Sequence, residues 1–210
     1  MKKLVALTAI LFLITTLSGC LSTLHPIFTA KDLVFDPRLI GTWHDGNKDE
    51  EVFIYERGTG NTFKALPEAL QQIADKAYLL TIRNKEDNLD YKYYAFLARI
   101  GNHLYFDYYP AEIKWQQRYN DFFKQHQVSM HTFYRVRFNS DGSFETSQFA
   151  QKFMDNLIEK KKIRIKHETR FDGTYVITAP TEELQQYILK YADVPEAYEN
   201  GNTTTFYKLP

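Results

Sequence analysis

Four runs of this chain throw their side chains to alternating sides: Tyr78–Arg83 (YLLTIR), Tyr91–Ile100 (YKYYAFLARI), His103–Tyr109 (HLYFDYY) and Met130–Phe138 (MHTFYRVRF). Side chains of an extended chain alternate with period two, so these runs read as strands. Gly101-Asn102, between the second and third, reads as the tip of a hairpin. Aromatic residues make up 16% of the chain, and aromatics fit pleated, half-buried surfaces. Further strands are expected over Leu39–His44, Glu51–Arg57, Ile163–Glu168, Thr174–Thr178 and residues 203–209. Mostly sequential strands imply an antiparallel meander that closes or folds over itself.

Helical spacing interrupts this pattern. Residues 66–76 place Leu66, Leu70, Ile73 and Ala74 on one face, with Pro67 suited to a first turn. Residues 111–125 do the same with Trp115, Tyr119, Phe122 and Phe123. Phe149, Phe153, Leu157 and Ile158 form another stripe, followed by Lys160-Lys161-Lys162, whose charge favours a helix C-terminus. The last helix begins at Thr181, with Glu182 and Glu183 in its first turn and Leu184, Tyr187, Ile188 and Tyr191 at i, i+3, i+4, i+7. The expected fold is mainly β (α+β). It is an antiparallel barrel or strongly curved sheet with three to four helices, including a C-terminal helix followed by a short strand.

The amino terminus has a different character. Lys2 and Lys3 precede an uncharged apolar stretch, Leu4 to Leu17, shorter than the roughly 20 residues of a membrane-spanning helix. Leu17-Ser18-Gly19-Cys20 resembles the lipobox of bacterial lipoproteins. That resemblance implies cleavage before Cys20, a diacylglycerol on its thiol and a lipid anchor in the bacterial cell envelope. Leu21, rather than Asp, in the following position implies the outer membrane. Cys20 is the only cysteine, so it has no partner for a disulfide. The expected organisation is a signal peptide over 1–19, a lipidated N-terminus and tether over 20–36, and one β-rich domain over 37–210. Without Lys2 and Lys3, 24 of the 26 basic residues remain against 26 acidic ones. This neutral balance argues against nucleic acid as a partner.

Gly41-Thr42-Trp43, in the first expected strand, resembles the Gly-x-Trp signature of lipocalins, whose tryptophan plugs the closed end of a barrel. The late helix followed by a strand is also similar to that family's tail. The chain departs from the pattern in three ways. It has no Thr-Asp-Tyr element, no arginine near the final strand to pack on Trp43, and inserted helices. His25-Pro26 with Phe35 to Trp43 resembles a further group, envelope lipoproteins of no known activity.

Period two places His103, Tyr105, Asp107 and Tyr109 on one face and His131, Phe133, Arg135 and Arg137 on another. If these faces meet inside a barrel with Trp43, then Trp43, His103, Tyr105, His131, Arg135 and Arg137 line an aromatic pocket suited to an anionic or amphipathic ligand. In the ordinary arrangement the same faces meet solvent, and Leu104, Phe106 and Tyr108 pack inward against Tyr134, Val136 and Phe138. His44, His103, His126 and His131 lack metal-ligand spacing. Neither G-x-S-x-G nor H-E-x-x-H occurs, and nothing calls for a cofactor or a catalytic residue. The expected function is a non-enzymatic, lipid-anchored envelope protein binding a small hydrophobic or amphipathic molecule. The alternative is an envelope assembly or interaction lipoprotein with a protein partner.

Overall fold

A computed structural model describes residues 21–210 apart from 47, 65, 67, 87, 112–119, 121, 123, 124 and 199–202. Cys20 and the signal peptide expectation lie outside the described residues, as does most of the helix expected over 111–125. The strands are β1 (Ser22–Thr23), β2 (Gly41–Asp45), β3 (Lys48–Arg57), β4 (Ala77–Asn84), β5 (Asp90–Ile100), β6 (His103–Pro110), β7 (His131–Phe138), β8 (Phe144–Gln148), β9 (His167–Thr169), β10 (Tyr175–Ile177) and β11 (Thr203–Lys208). Eight of them, in the order β2-β3-β4-β5-β6-β7-β8-β11, close into an antiparallel barrel through the β6–β7 and β11–β2 pairings. The other three extend from β7 as a ribbon in the order β1-β10-β9.

Sequence and structure agree on the meander and on the tight β5–β6 hairpin. There Ile100 pairs with His103 and Gly101 takes a φ of 60°, a conformation open to glycine at little cost. Two helices are present among the described residues, α1 (Gln151–Glu159) and α2 (Thr181–Tyr191), rather than three to four. Residues 66–76 form only one helical turn, Glu68–Gln71, and a 3₁₀ turn at Ala74–Lys76. Short helices are marginal without tertiary support, and Gly58 brings the backbone close: a Cβ there would lie 2.4 Å from the Ala74 carbonyl oxygen. The late helix does lead into a short strand, β11.

Two cores lie on opposite sides of the sheet. Trp43, Tyr55, Tyr78, Leu80, Leu97, Phe106, Phe144 and Phe206 fill the barrel. Their rings touch across it: Trp43–Phe144 at 4.8 Å, Phe144–Phe206 at 4.9 Å and Tyr55–Phe106 at 5.5 Å between centroids. The Tyr55 and Tyr108 hydroxyls share a hydrogen bond of 2.8 Å. Trp43 donates its indole N–H to the Leu39 carbonyl (2.8 Å), and the Lys208 ammonium lies 5.3 Å from its ring.

The second core sits outside the barrel, on β5, β6 and β7. Phe96, Ala98, Tyr105 and Phe133 are covered there by Ile27, Phe28 and Leu33, by Met154 of α1 and by Leu184 and Ile188 of α2. β5 is therefore buried on both sides over Tyr94–Ala98. This corrects the expected tether over 20–36. Leu21, Ile27, Phe28 and Leu33 are buried, and the segment carrying them is part of the domain. It has no helical or strand periodicity because it is held by scattered contacts to a surface already formed by other strands.

Candidate functional site

β6 and β7 present the candidate side chains on their outer face. Leu104, Phe106, Tyr108, Val136 and Phe138 belong to the core inside the barrel, whereas Tyr105 and Phe133 belong to the core outside it. Part of the outer face is sealed. Asp107, with no exposed surface, accepts a hydrogen bond from the Ile27 backbone N–H (2.9 Å). Its other oxygen lies 2.6 Å from His131 Nδ1, and the Tyr109 ring packs against the imidazole at 4.7 Å. With the carboxylate as acceptor, Nδ1 carries the hydrogen. This pair fastens the N-terminal segment to the barrel wall.

Further along the same face, the Tyr105 and Tyr198 hydroxyls meet at 3.1 Å. Burial pushes both phenols above the usual tyrosine range. The Arg135 guanidinium lies 3.9 Å over the Tyr198 ring and donates to the Ala192 carbonyl (2.8 Å). His103 Nε2 lies 2.9 Å from an Asp193 carboxylate oxygen. The chain after α2 therefore walls this end of the face.

The β6–β7 ladder ends at Leu104–Val136. Where it ends, the β5–β6 and β7–β8 hairpins flank a cleft of about 520 Å³ at the barrel rim. Arg99, Asn102 and His103 line one side, and Arg137, Phe138 and Glu145 the other. Arg135, Leu104, Val136, Ser147 and Thr203 complete the lining. The lining holds three arginines and one carboxylate, Glu145, which Arg137 contacts at 2.6 Å. The lining thus carries two positive charges in excess, counting His103 as neutral. The side chain of Arg99 makes no hydrogen bond or ion pair among the described residues, and it is exposed.

The six residues expected to share a pocket thus fall in three places. His103, Arg135 and Arg137 line the cleft, Tyr105 and His131 are buried beneath the cover of the outer core, and Trp43 is inside the barrel. Sequence reasoning did not single out Arg99, Glu145, Tyr198 or the tie from Asp107 to Ile27. Arg99 is the one charge after the apolar run YAFLA in the expected strand Tyr91–Ile100. Glu145 reaches the site across the β7–β8 hairpin, opposite Arg137, and Tyr198 through the return of the chain after α2. Among the described residues no three of His, Cys, Asp and Glu gather as metal ligands, and no helix is long and apolar enough to cross a membrane. No family model, no curated protein and no solved structure matches the chain.

Proposed function

We propose that this chain is a lipid-anchored protein of the bacterial cell envelope, held through Cys20 in the outer membrane, that binds an anionic amphipathic small molecule at the barrel rim without chemically changing it. The observation that supports this reading is the cleft, which Arg99, Arg135 and Arg137 line together with Leu104, Val136 and Phe138. Guanidinium groups match carboxylate and phosphate geometry with paired donors, and the volume is that of a small-molecule site. Gly41-Thr42-Trp43 under the Lys208 cation supports a lipocalin-like barrel. Its ligand is displaced from the lumen, which stacked rings occupy, to the rim.

The filled interior also favours a second reading, an assembly or interaction lipoprotein whose barrel is only a scaffold. Calorimetric titration of the protein with dodecyl phosphate, dodecanoate and dodecanol separates the two. The first reading predicts that the two charged amphipaths bind, that the alcohol does not, and that Arg99→Ala with Arg137→Ala abolishes binding. The second predicts that none of the three binds. The anchor is tested by Cys20→Ser, which is expected to leave the protein unacylated and uncleaved.

A further inference from the structure

The lipid anchor proposed above leaves the protein no freedom to stand away from the membrane. Leu21, one peptide beyond Cys20, is already 3% exposed in the outer core. Ser22 and Thr23 are already paired on both sides, with β7 and β10. Consecutive Cα atoms are about 3.8 Å apart. An acylated Cys20 therefore holds the body of the domain against the headgroups, and the surface beside Leu21 must face them.

The strand register identifies that surface. β1 runs parallel to β10, with Ser22 opposite Val176. Going from Ser22 back toward Cys20 therefore follows β10 back toward the turn that joins it to β9. That turn is closed by backbone hydrogen bonds. Gly173 N–H bonds to the Arg170 carbonyl (3.0 Å), Arg170 N–H bonds to the Thr174 carbonyl (2.8 Å), and Gly173 has a φ of 83°. At its tip Phe171 is 105% exposed, the most exposed of the large apolar side chains described. β9 is the outer strand of the ribbon, about 10 Å from β1 at the usual strand spacing. The chain leading into it, residues 160–170 (KKKIRIKHETR), carries six cations and one carboxylate in a protein that is neutral overall. Ile163 and Ile165 pack on the core, so Lys162, Arg164 and Lys166 alternate outward and are exposed. The hydrogen bond from Thr178 N–H to the Lys166 carbonyl (2.9 Å) carries the ladder to that point.

We propose that the β9–β10 hairpin and the basic segment before it are a membrane-docking edge: Phe171 enters the bilayer interface near the anchor, and Lys162, Arg164 and Lys166, farther along the same edge, contact anionic phospholipid headgroups. A basic cluster and an apolar tip next to an acyl chain combine membrane signals whose contributions add. Two carboxylates oppose this, Glu168 on β9 and Asp172 in the turn. That of Asp172 is turned back onto Thr174, accepting from its N–H (3.0 Å) and its hydroxyl (2.7 Å). The inference rests on the anchor reading, and the experiment separates the two.

The full chain carrying Phe171→Trp is expressed with export, extracted in detergent and reconstituted into phosphatidylcholine vesicles with or without phosphatidylglycerol, containing brominated acyl chains. Mass spectrometry of its N-terminal peptide reports the acyl groups independently. Docking predicts that bromine quenches the new tryptophan several-fold more than the wild-type signal, and more so with phosphatidylglycerol. Replacing Lys162, Arg164 and Lys166 with Gln should then lower the docked-to-undocked ratio about five-fold per charge. An acylated protein whose Trp at 171 escapes quenching overturns the docking edge while the anchor stands. An unacylated Cys20 overturns the anchor and the orientation with it. If the triple variant aggregates but keeps the quenching, the cations only guard an open strand edge, and the headgroup contact is wrong.

Discussion

Asp107 offers the most direct energetic test of how the N-terminal segment is held. It has no exposed surface and serves two buried partners, the Ile27 N–H at 2.9 Å and His131 Nδ1 at 2.6 Å. Asp107→Ala leaves both without an acceptor. A buried donor left unsatisfied costs about 1–3 kcal/mol, so the pair costs about 2–6 kcal/mol, to be set against a total stability of roughly 5–15 kcal/mol. Asp107→Asn is much milder. Its amide oxygen can still accept from Ile27, and its NH₂ can donate to Nδ1 once the imidazole hydrogen moves to Nε2, so the cost is about 1 kcal/mol. The assay is urea unfolding followed by the fluorescence of Trp43, itself 1% exposed, with hydrogen exchange at Ile27 as a local readout. The expected result is a midpoint lowered strongly by Ala and slightly by Asn, with exchange at Ile27 accelerated in the same order. If Ala costs no more than Asn, or if Ile27 stays protected in the Ala variant, Asp107 is not what fastens the segment.

Other consequences concern the backbone and the tyrosines. α1 ends in a Schellman arrangement, with Lys161 N–H on the Ile158 carbonyl (2.9 Å), Lys162 N–H on the Leu157 carbonyl (2.8 Å), and Lys161 at a φ of 53°. Lys161→Gly should remove about 1 kcal/mol of strain and raise the melting temperature by about 2–4 °C, as calorimetry would show. Gly58→Ala should destabilise the protein markedly in the same experiment, because its Cβ would meet the Ala74 carbonyl at 2.4 Å and the Phe63 ring at 2.8 Å. Burial pushes Tyr78 up to about 12 and raises Tyr55 and Tyr108 well above the usual tyrosine range. A raised tyrosine value favours the neutral form in the fold. The stability it contributes is therefore complete below the ordinary value of about 10 and is lost as pH rises through the folded value. Ultraviolet titration should show the exposed tyrosines ionising near pH 10 and the buried ones only as near-ultraviolet circular dichroism collapses. Full ionisation with the dichroism intact would contradict the packing of the barrel.

The strands and their faces were legible because alternation is a local property. Leu104, Phe106 and Tyr108 read as one face from residues 103–109 alone, and α2 shows its i, i+3, i+4, i+7 stripe within residues 181–191. The outer core was not legible as such. YAFLA in β5 is a continuous apolar run, a sign of burial on both sides. Its cover, however, comes from Ile27, Phe28 and Leu33, a segment with Pro26 and no period. That segment is held by backbone bonds such as Ile27 to Asp107, which are not a sequence pattern. For the same reason the cleft was only half visible. Alternation grouped Arg135 with Arg137 and His103 with Tyr105. Which of these meet, and that Arg99 and Glu145 join them, depends on where the β6–β7 ladder stops. The filled lumen follows from ring sizes meeting across a closed barrel, which only closure reveals.

The central claim is that the rim cleft holds a ligand. Native mass spectrometry of the protein as isolated, beside the Arg99→Ala/Arg137→Ala variant, is the most direct measurement. The wild-type protein should carry a bound acidic amphipath, displaced by dodecyl phosphate but not by dodecanol, and the variant should carry none while keeping the wild-type circular dichroism. A wild-type protein that is ligand-free and takes up neither compound would contradict that claim.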